Sequence, residues 1–158
     1  MDRDELLTVL RAFEAASLEY VLIGASAMGF HGVVRATEDV DLLIRATPEN
    51  IGRLRTALRA AYPDDPSVSD ILEDDLLGDY PAVRYYPPSG DLYFDVMTRL
   101  GDAADFDTVQ AMTKDFEGTR VSVATPKALY RLKKDTVRPI DRQDAAALRE
   151  RFNLTEDE

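Results

Sequence analysis

The sequence predicts an α+β domain: a mixed β-sheet with helices packed on it and a short helical segment at the C-terminal end. Three observations carry that expectation. The 158 residues suit one domain, 1–158, and suffice for a continuous core. Stretches of helical and of strand periodicity alternate along the chain. Hydroxyl–proline pairs, Thr47-Pro48 and Thr125-Pro126, mark two helix starts, a capping side chain followed by a residue suited to the first helical position.

The elements follow in order. Leu6, Leu7, Leu10 and Phe13 repeat at helical spacing, which predicts an amphipathic helix over 4–16. Tyr20-Val-Leu-Ile23 is a short apolar run ending at Gly24 and reads as a buried strand. Ser26 to His31 reads as a short helix of small residues closed by Gly32. Val40 to Ile44 is the next strand, interrupted by acids. Thr47-Pro48 then opens a helix to about Ala61, with Ile51, Leu54, Ala57 and Leu58 on one face. Residues 62–80 read as an acidic loop with a short helix. Ala82 to Tyr86 and Leu92 to Met97 flank Pro87-Pro-Ser-Gly90 and predict a β-hairpin. Arg120 to Val123 is a further strand. The C-terminal helices fall at about 126–152, broken at Arg138-Pro139.

Composition excludes several chemistries. The absence of cysteine removes disulfides, thiolate zinc sites and thiol nucleophiles. A single histidine, His31, opposes a histidine-rich metal site or a histidine-based triad, and a packing or capping role is the simpler reading for it. The acidic Met-Asp-Arg-Asp-Glu start and the brevity of the apolar runs predict a cytoplasmic protein with no membrane partner. A net charge of −11 opposes non-specific binding to a phosphate backbone.

The informative anomaly is Asp39-Val40-Asp41-Leu42. Strand alternation points Asp39 and Asp41 to one face and Val40 and Leu42 to the other. Two adjacent carboxylates repel unless a cation or a proton is shared between them. Asp95 interrupts the apolar run Leu92-Tyr-Phe-Asp-Val-Met97 and also needs a partner. If the two strands are neighbours, the three acids converge into a hard oxygen site, suited to Mg²⁺ or Mn²⁺ rather than zinc. A lone Asp-x-Asp is also what a turn or a solvated strand edge looks like. An EF-hand fails because Leu43 and Arg45 stand where calcium ligands belong. A glycosidase carboxylate pair accounts for two acids but not for the third, nor for the glycine turn upstream.

That turn is Gly24-Ala25-Ser26, between an apolar strand and a helix, where backbone N–H groups face outward toward a phosphate. Thirteen residues, 26–38, separate Gly24-Ala25 from Asp39-Val40-Asp41. Together these segments resemble the signature of polymerase-β-like nucleotidyltransferases: apolar strand, Gly, Gly or Ser, about a dozen residues, Asp-x-Asp. The resemblance extends to small bacterial nucleotidyltransferases of the abortive-infection toxin group. The segments that carry it are His31-Gly32, Arg35-Ala-Thr37-Glu-Asp39-Val-Asp41, and Lys133-Lys134 followed by Arg138-Pro139-Ile140-Asp141-Arg142-Gln143-Asp144.

The resemblance implies a nucleotidyltransferase-like sheet and transfer of an NMP group from an NTP to a hydroxyl acceptor, which is an RNA end, a protein or a small molecule. It implies catalytic and metal-binding roles for Asp39, Asp41 and Asp95, with two Mg²⁺ or Mn²⁺ ions. The nucleotide would be held by Gly24, Ala25, Ser26, Arg35, Thr37, Lys134 and Arg138. Asp141 and Asp144 would be structural, and the toxin-group match points to a protein antitoxin as partner. One departure stands out: Ala25 occupies a position where the family carries Gly or Ser, and Ser26 supplies a hydroxyl there only if the turn shifts. The rival reading is a non-catalytic nucleotidyltransferase-like module that binds a nucleotide or a protein.

Overall fold

Asp2 caps the first helix by accepting from the backbone N–H groups of Asp4 and Glu5, and α1 (Arg3–Ala15) buries Leu6, Leu7, Val9, Leu10 and Phe13. The fold is described from a computed structural model, which covers residues 2–33, 39–79, 81–102, 104–134 and 138–155. The fully buried β1 (Tyr20–Ile23) leads at Gly24 into α2 (Gly24–Phe30). Next come β2 (Asp39–Ile44) and α3 (Pro48–Ala61); Thr47 caps α3 and Pro48 starts it, as the sequence predicts. The acidic stretch folds as a 3₁₀ turn (Pro66–Asp70) and α4 (Glu73–Leu77).

The predicted hairpin forms from β3 (Ala82–Tyr85) and β4 (Tyr93–Met97). After it come the two-residue strands β5 (Arg99–Leu100) and β6 (Ala104–Asp105), then β7 (Ala111–Phe116) and β8 (Thr119–Ala124). The C-terminal part is α5 (Pro126–Lys133) and α6 (Pro139–Phe152), with Pro139 at the start of α6 rather than inside it. No helix among the described residues is long and apolar enough to cross a membrane.

The main sheet has six strands in the order β3-β4-β2-β1-β8-β7. It is mixed: β2 runs parallel to β4 and antiparallel to β1, while β1 is parallel to β8. This is the α+β architecture that the sequence predicts. The strand β7 was not among the predicted elements, because its residues are mostly exposed and carry no apolar alternation. It pairs with β8 across Glu117-Gly118, whose φ values of 51° and 86° give the doubly positive turn that suits a two-residue hairpin.

Pleat alternation divides the sheet into two faces. Leu22, Leu42 and Ile44 share the face on which Tyr20 meets Phe13 of α1, their ring centroids 5.1 Å apart. Tyr85 and Phe94 extend that face to Tyr62, just beyond α3. Phe94, Leu42, Leu22 and Phe13 are fully buried, so the hydrophobic contribution is concentrated on this side. On the opposite face, the apolar pattern gives way to Asp39, Asp41 and Asp95.

Candidate active site

The parallel pairing of β2 with β4 sets Asp41 opposite Asp95 and Asp39 opposite Tyr93. All three carboxylates therefore point to one face, and one oxygen from each lies within 4.8 Å of the other two. They are partly buried rather than fully solvated. The strands are neighbours, which is the condition that the sequence reading required for the acids to converge.

The cost of gathering the charges falls on Asp41. Burial, then the negative charges of Asp39 and Asp95, push its carboxyl up from the ordinary value to about 7, against a smaller opposing effect of Lys133. Asp41 also shares a hydrogen bond with Asp95. Bringing Asp41 to its ionised form costs energy here, and a divalent cation among the three carboxylates would relieve that cost. The donor set is all carboxylate oxygen, which fits Mg²⁺ or Mn²⁺.

Gly24 stands immediately beside this cluster because β1 pairs Ile23 with Asp41. Its φ is +72°, and a Cβ built there would strike the Asp41 carboxylate, lying 3.0 Å from its Cγ. Glycine is required both by conformation and by space. Gly24→Ala should therefore lower stability by about 1–3 kcal/mol and displace Asp41. A thermal melt of the metal-free variant checks this, and an unchanged melting temperature would contradict it.

The acids open onto a cavity of about 290 Å³ whose lining is almost wholly polar. Gly24 and Ala25 form one wall, and Lys133, Arg138 and Asp141 come from the junction of α5 and α6. Lys133 is buried, with Nζ 2.9 Å from Asp144 Oδ2 and 3.4 Å from Asp141 Oδ1. Arg138 Nε lies 3.7 Å from Asp141 Oδ2. Across the cavity, Arg84 of the edge strand β3 reaches Asp95, and Tyr93 completes the lining.

Of the residues singled out from the sequence, Asp39, Asp41, Asp95, Gly24, Ala25 and Arg138 meet at this cavity. Ser26 is buried and is not part of the lining; its Oγ has no hydrogen-bond partner among the described residues. Lys134 sits with Nζ 5.7 Å from the Tyr130 ring centre and is also outside the lining. Arg35 and Thr37 lie outside the described residues. His31 packs rather than acts: Nε2 is 2.7 Å from the Ala124 carbonyl oxygen, and burial lowers its pKa. Asp141 and Asp144 tie α6 to α5 through Lys133, as their structural reading requires, and Asp141 also reaches the cavity.

Four lining residues stand outside the ligand-binding set expected from the sequence: Arg84, Tyr93, Lys133 and Asp141. Lys133 belongs to the basic stretch Arg131, Lys133, Lys134, Arg138 and Arg142, which the sequence marks as a whole as a phosphate or partner surface, with Lys134 and Arg138 as its named members. The signal for Arg84 was present but weak: a basic residue on one strand of a hairpin whose other strand carries an out-of-place acid.

No family model matches the chain, and no curated protein matches it in sequence. Solved structures do match. An antigenic nucleotidyltransferase-like protein from Paracoccidioides brasiliensis superposes with a TM-score of 0.55 at 18% identity, covering 91% of this chain and 74% of that one. The structure of ANT(2")-Ia in complex with adenylyl-2"-tobramycin superposes with a TM-score of 0.56 at 17% identity, covering 95% and 88%. At such identities the likeness is one of fold, and that fold is nucleotidyltransferase-like.

Proposed function

We propose that this chain transfers a nucleotidyl group from an NTP to a hydroxyl-bearing acceptor and releases pyrophosphate. The observation that carries the proposal is the convergence of Asp39, Asp41 and Asp95 within 4.8 Å beside a glycine turn, in a cavity whose other wall supplies Lys133 and Arg138. Carboxylates on one side and cations on the other suit a metal-bound triphosphate, whose negative charge must be balanced at several points. A fold neighbour holding adenylyl-2"-tobramycin, an adenylyl group joined to a small molecule, fits the same class of reaction.

Asp39, Asp41 and Asp95 would hold Mg²⁺ or Mn²⁺, two ions in the full site. Bound there, the ions would neutralise phosphate charge and lower the pKa of the acceptor hydroxyl. The chain's own residues do the rest. Gly24 and Ala25 let the triphosphate approach the backbone, and Arg35 and Thr37, next in the sequence before Asp39, would add contacts to the phosphates. Lys133 and Arg138 offset the charge that builds on the leaving pyrophosphate; Lys134, expected from the sequence to do this, lies outside the lining and adds only to the positive charge nearby. Asp95 would assist in taking the hydroxyl proton.

The abortive-infection resemblance carries the finer reading of a toxin that is countered by a protein antitoxin. A second reading, a non-catalytic module that binds nucleotide or protein, is favoured by one observation: Ala25 brings no hydroxyl to the cavity, and Ser26 does not replace it.

Label transfer separates the two. Each of four α-labelled NTPs, with Mg²⁺ or Mn²⁺, is incubated with the protein and a bacterial lysate, beside the Asp39→Ala/Asp41→Ala variant. The expected result is label on an acceptor with the intact acids only, its nuclease or protease sensitivity naming the acceptor class. Nucleotide binding without any label transfer would favour the module.

A further inference from the structure

We propose that Arg84 is a positioning residue for the metal site: its guanidinium fork fixes the Asp95 carboxylate in the orientation that turns it toward Asp39 and Asp41. The inference rests on the metal-binding reading of the three acids and adds a residue to it.

The sheet order makes the arrangement possible. Strand β4 lies between β3 and β2, so Asp95 has Arg84 on one side and the acid pair on the other. Hairpin register sets Arg84 directly opposite Asp95 on the same face. Arg84 Nε is 2.6 Å from Asp95 Oδ1 and Nη2 is 3.3 Å from Oδ2, a two-point contact that defines the plane of the carboxylate. The guanidinium is held in turn. Nη1 lies 3.3 Å from the Tyr86 hydroxyl, and the group sits 5.4 Å from the centre of the Tyr93 ring, which stacks on Tyr86 at 5.2 Å.

Two roles are open to a cation in this position: a competitor that must leave before a metal enters, or a brace that stays. Geometry favours the brace. A competitor would turn Asp95 away from its partners, yet an Asp95 oxygen already lies within 4.8 Å of both other acids while the fork is made. An ionised carboxylate has about four lone-pair sites, and the fork uses two of them, leaving the rest for a cation on the far side.

Exposure decides what kind of effect to expect. The Arg84 side chain is 54% exposed, so its attraction to Asp95 is largely screened and contributes little to folding. Its contribution is orientation, as for the outer partners that steer ligands in metal sites.

The test is Mn²⁺ binding to the full chain without nucleotide, read from the electron paramagnetic resonance signal of free Mn²⁺, with thermal melts beside it. Arg84→Ala should weaken Mn²⁺ binding about 10-fold or more while leaving the metal-free melting temperature nearly unchanged. Arg84→Lys keeps the charge but not the fork and should recover only part of the affinity; it also serves as the second variant should alanine impair folding. Wild-type affinity in either variant, or tighter binding, would overturn the positioning role while leaving the metal site standing. Failure of the wild-type protein itself to bind Mn²⁺ would overturn both.

Discussion

Asp41→Asn is expected to raise the metal-free melting temperature at pH 8 by about 3–6 °C, a gain of roughly 1–2 kcal/mol in a chain of this size. The same substitution should erase the stabilisation that Mg²⁺ or Mn²⁺ gives the wild type and abolish transfer. The Asp41 carboxyl titrates near 7 in the folded chain because burial and the charges of Asp39 and Asp95 oppose its ionisation. Unfolded, it titrates near the ordinary carboxylate value. Between these two values the folded state holds a proton that the unfolded state has lost, so stability falls as pH rises through that window. Above pH 7 the whole penalty is present, and an amide removes it. At pH 5 wild-type Asp41 is already protonated, so the advantage of Asn should shrink. Added metal competes with that proton, so it should raise the wild-type melting temperature at pH 8 far more than at pH 5. A variant less stable than wild type at pH 8 without metal would contradict this electrostatic account.

Lys133→Met should act in the opposite direction, lowering stability by about 3–5 kcal/mol and the melting temperature by on the order of 10 °C. Lys133 is buried between Asp141 and Asp144, which are 9% and 4% exposed. Its removal takes away the ammonium that pairs with both carboxylates and ties α6 to α5. The loss comes from weakening the compensation of two buried carboxylates, so the triple variant Lys133→Met/Asp141→Asn/Asp144→Asn should recover part of the stability. It should not recover nucleotide affinity, because the cation facing Asp41 across the cavity is gone. Denaturant unfolding of both variants checks the first point, and NTP binding with Mg²⁺ checks the second. A single variant as stable as wild type would show that the buried ion pairs do not hold the two helices together.

The parts of the site that were legible in the sequence are those that depend on local alternation. Asp39 and Asp41 interrupt an apolar strand with period two, and Asp95 interrupts another, so their shared face follows from the pleat. Gly24 was legible because it ends a buried strand, although the reason only glycine fits there, the Asp41 carboxylate against it, is tertiary. Hairpin register was less accessible: whether Arg84 or a neighbour faces Asp95 depends on how many residues the connection after Tyr85 takes up. The choice between Lys133 and Lys134 is a helical one. Adjacent residues point about 100° apart, and a lysine on the buried side of α5 looks like part of a solvated face until its two aspartates are in place. Strand β7 was missed because an exposed edge strand carries little apolar signal, and its partner β8 alone was read from the chain.

The central claim is that the acid cluster moves a nucleotidyl group rather than a terminal phosphate or nothing at all. Parallel reactions with α-labelled and γ-labelled NTP, each with Mg²⁺ or Mn²⁺ and the same acceptor pool, test it most directly. The account predicts α-label retained on the acceptor, γ-label released as pyrophosphate, and both lost in the Asp39→Ala/Asp41→Ala variant. γ-Label on the acceptor, or no transfer of either label from protein shown to be folded and metal-bound, would contradict it.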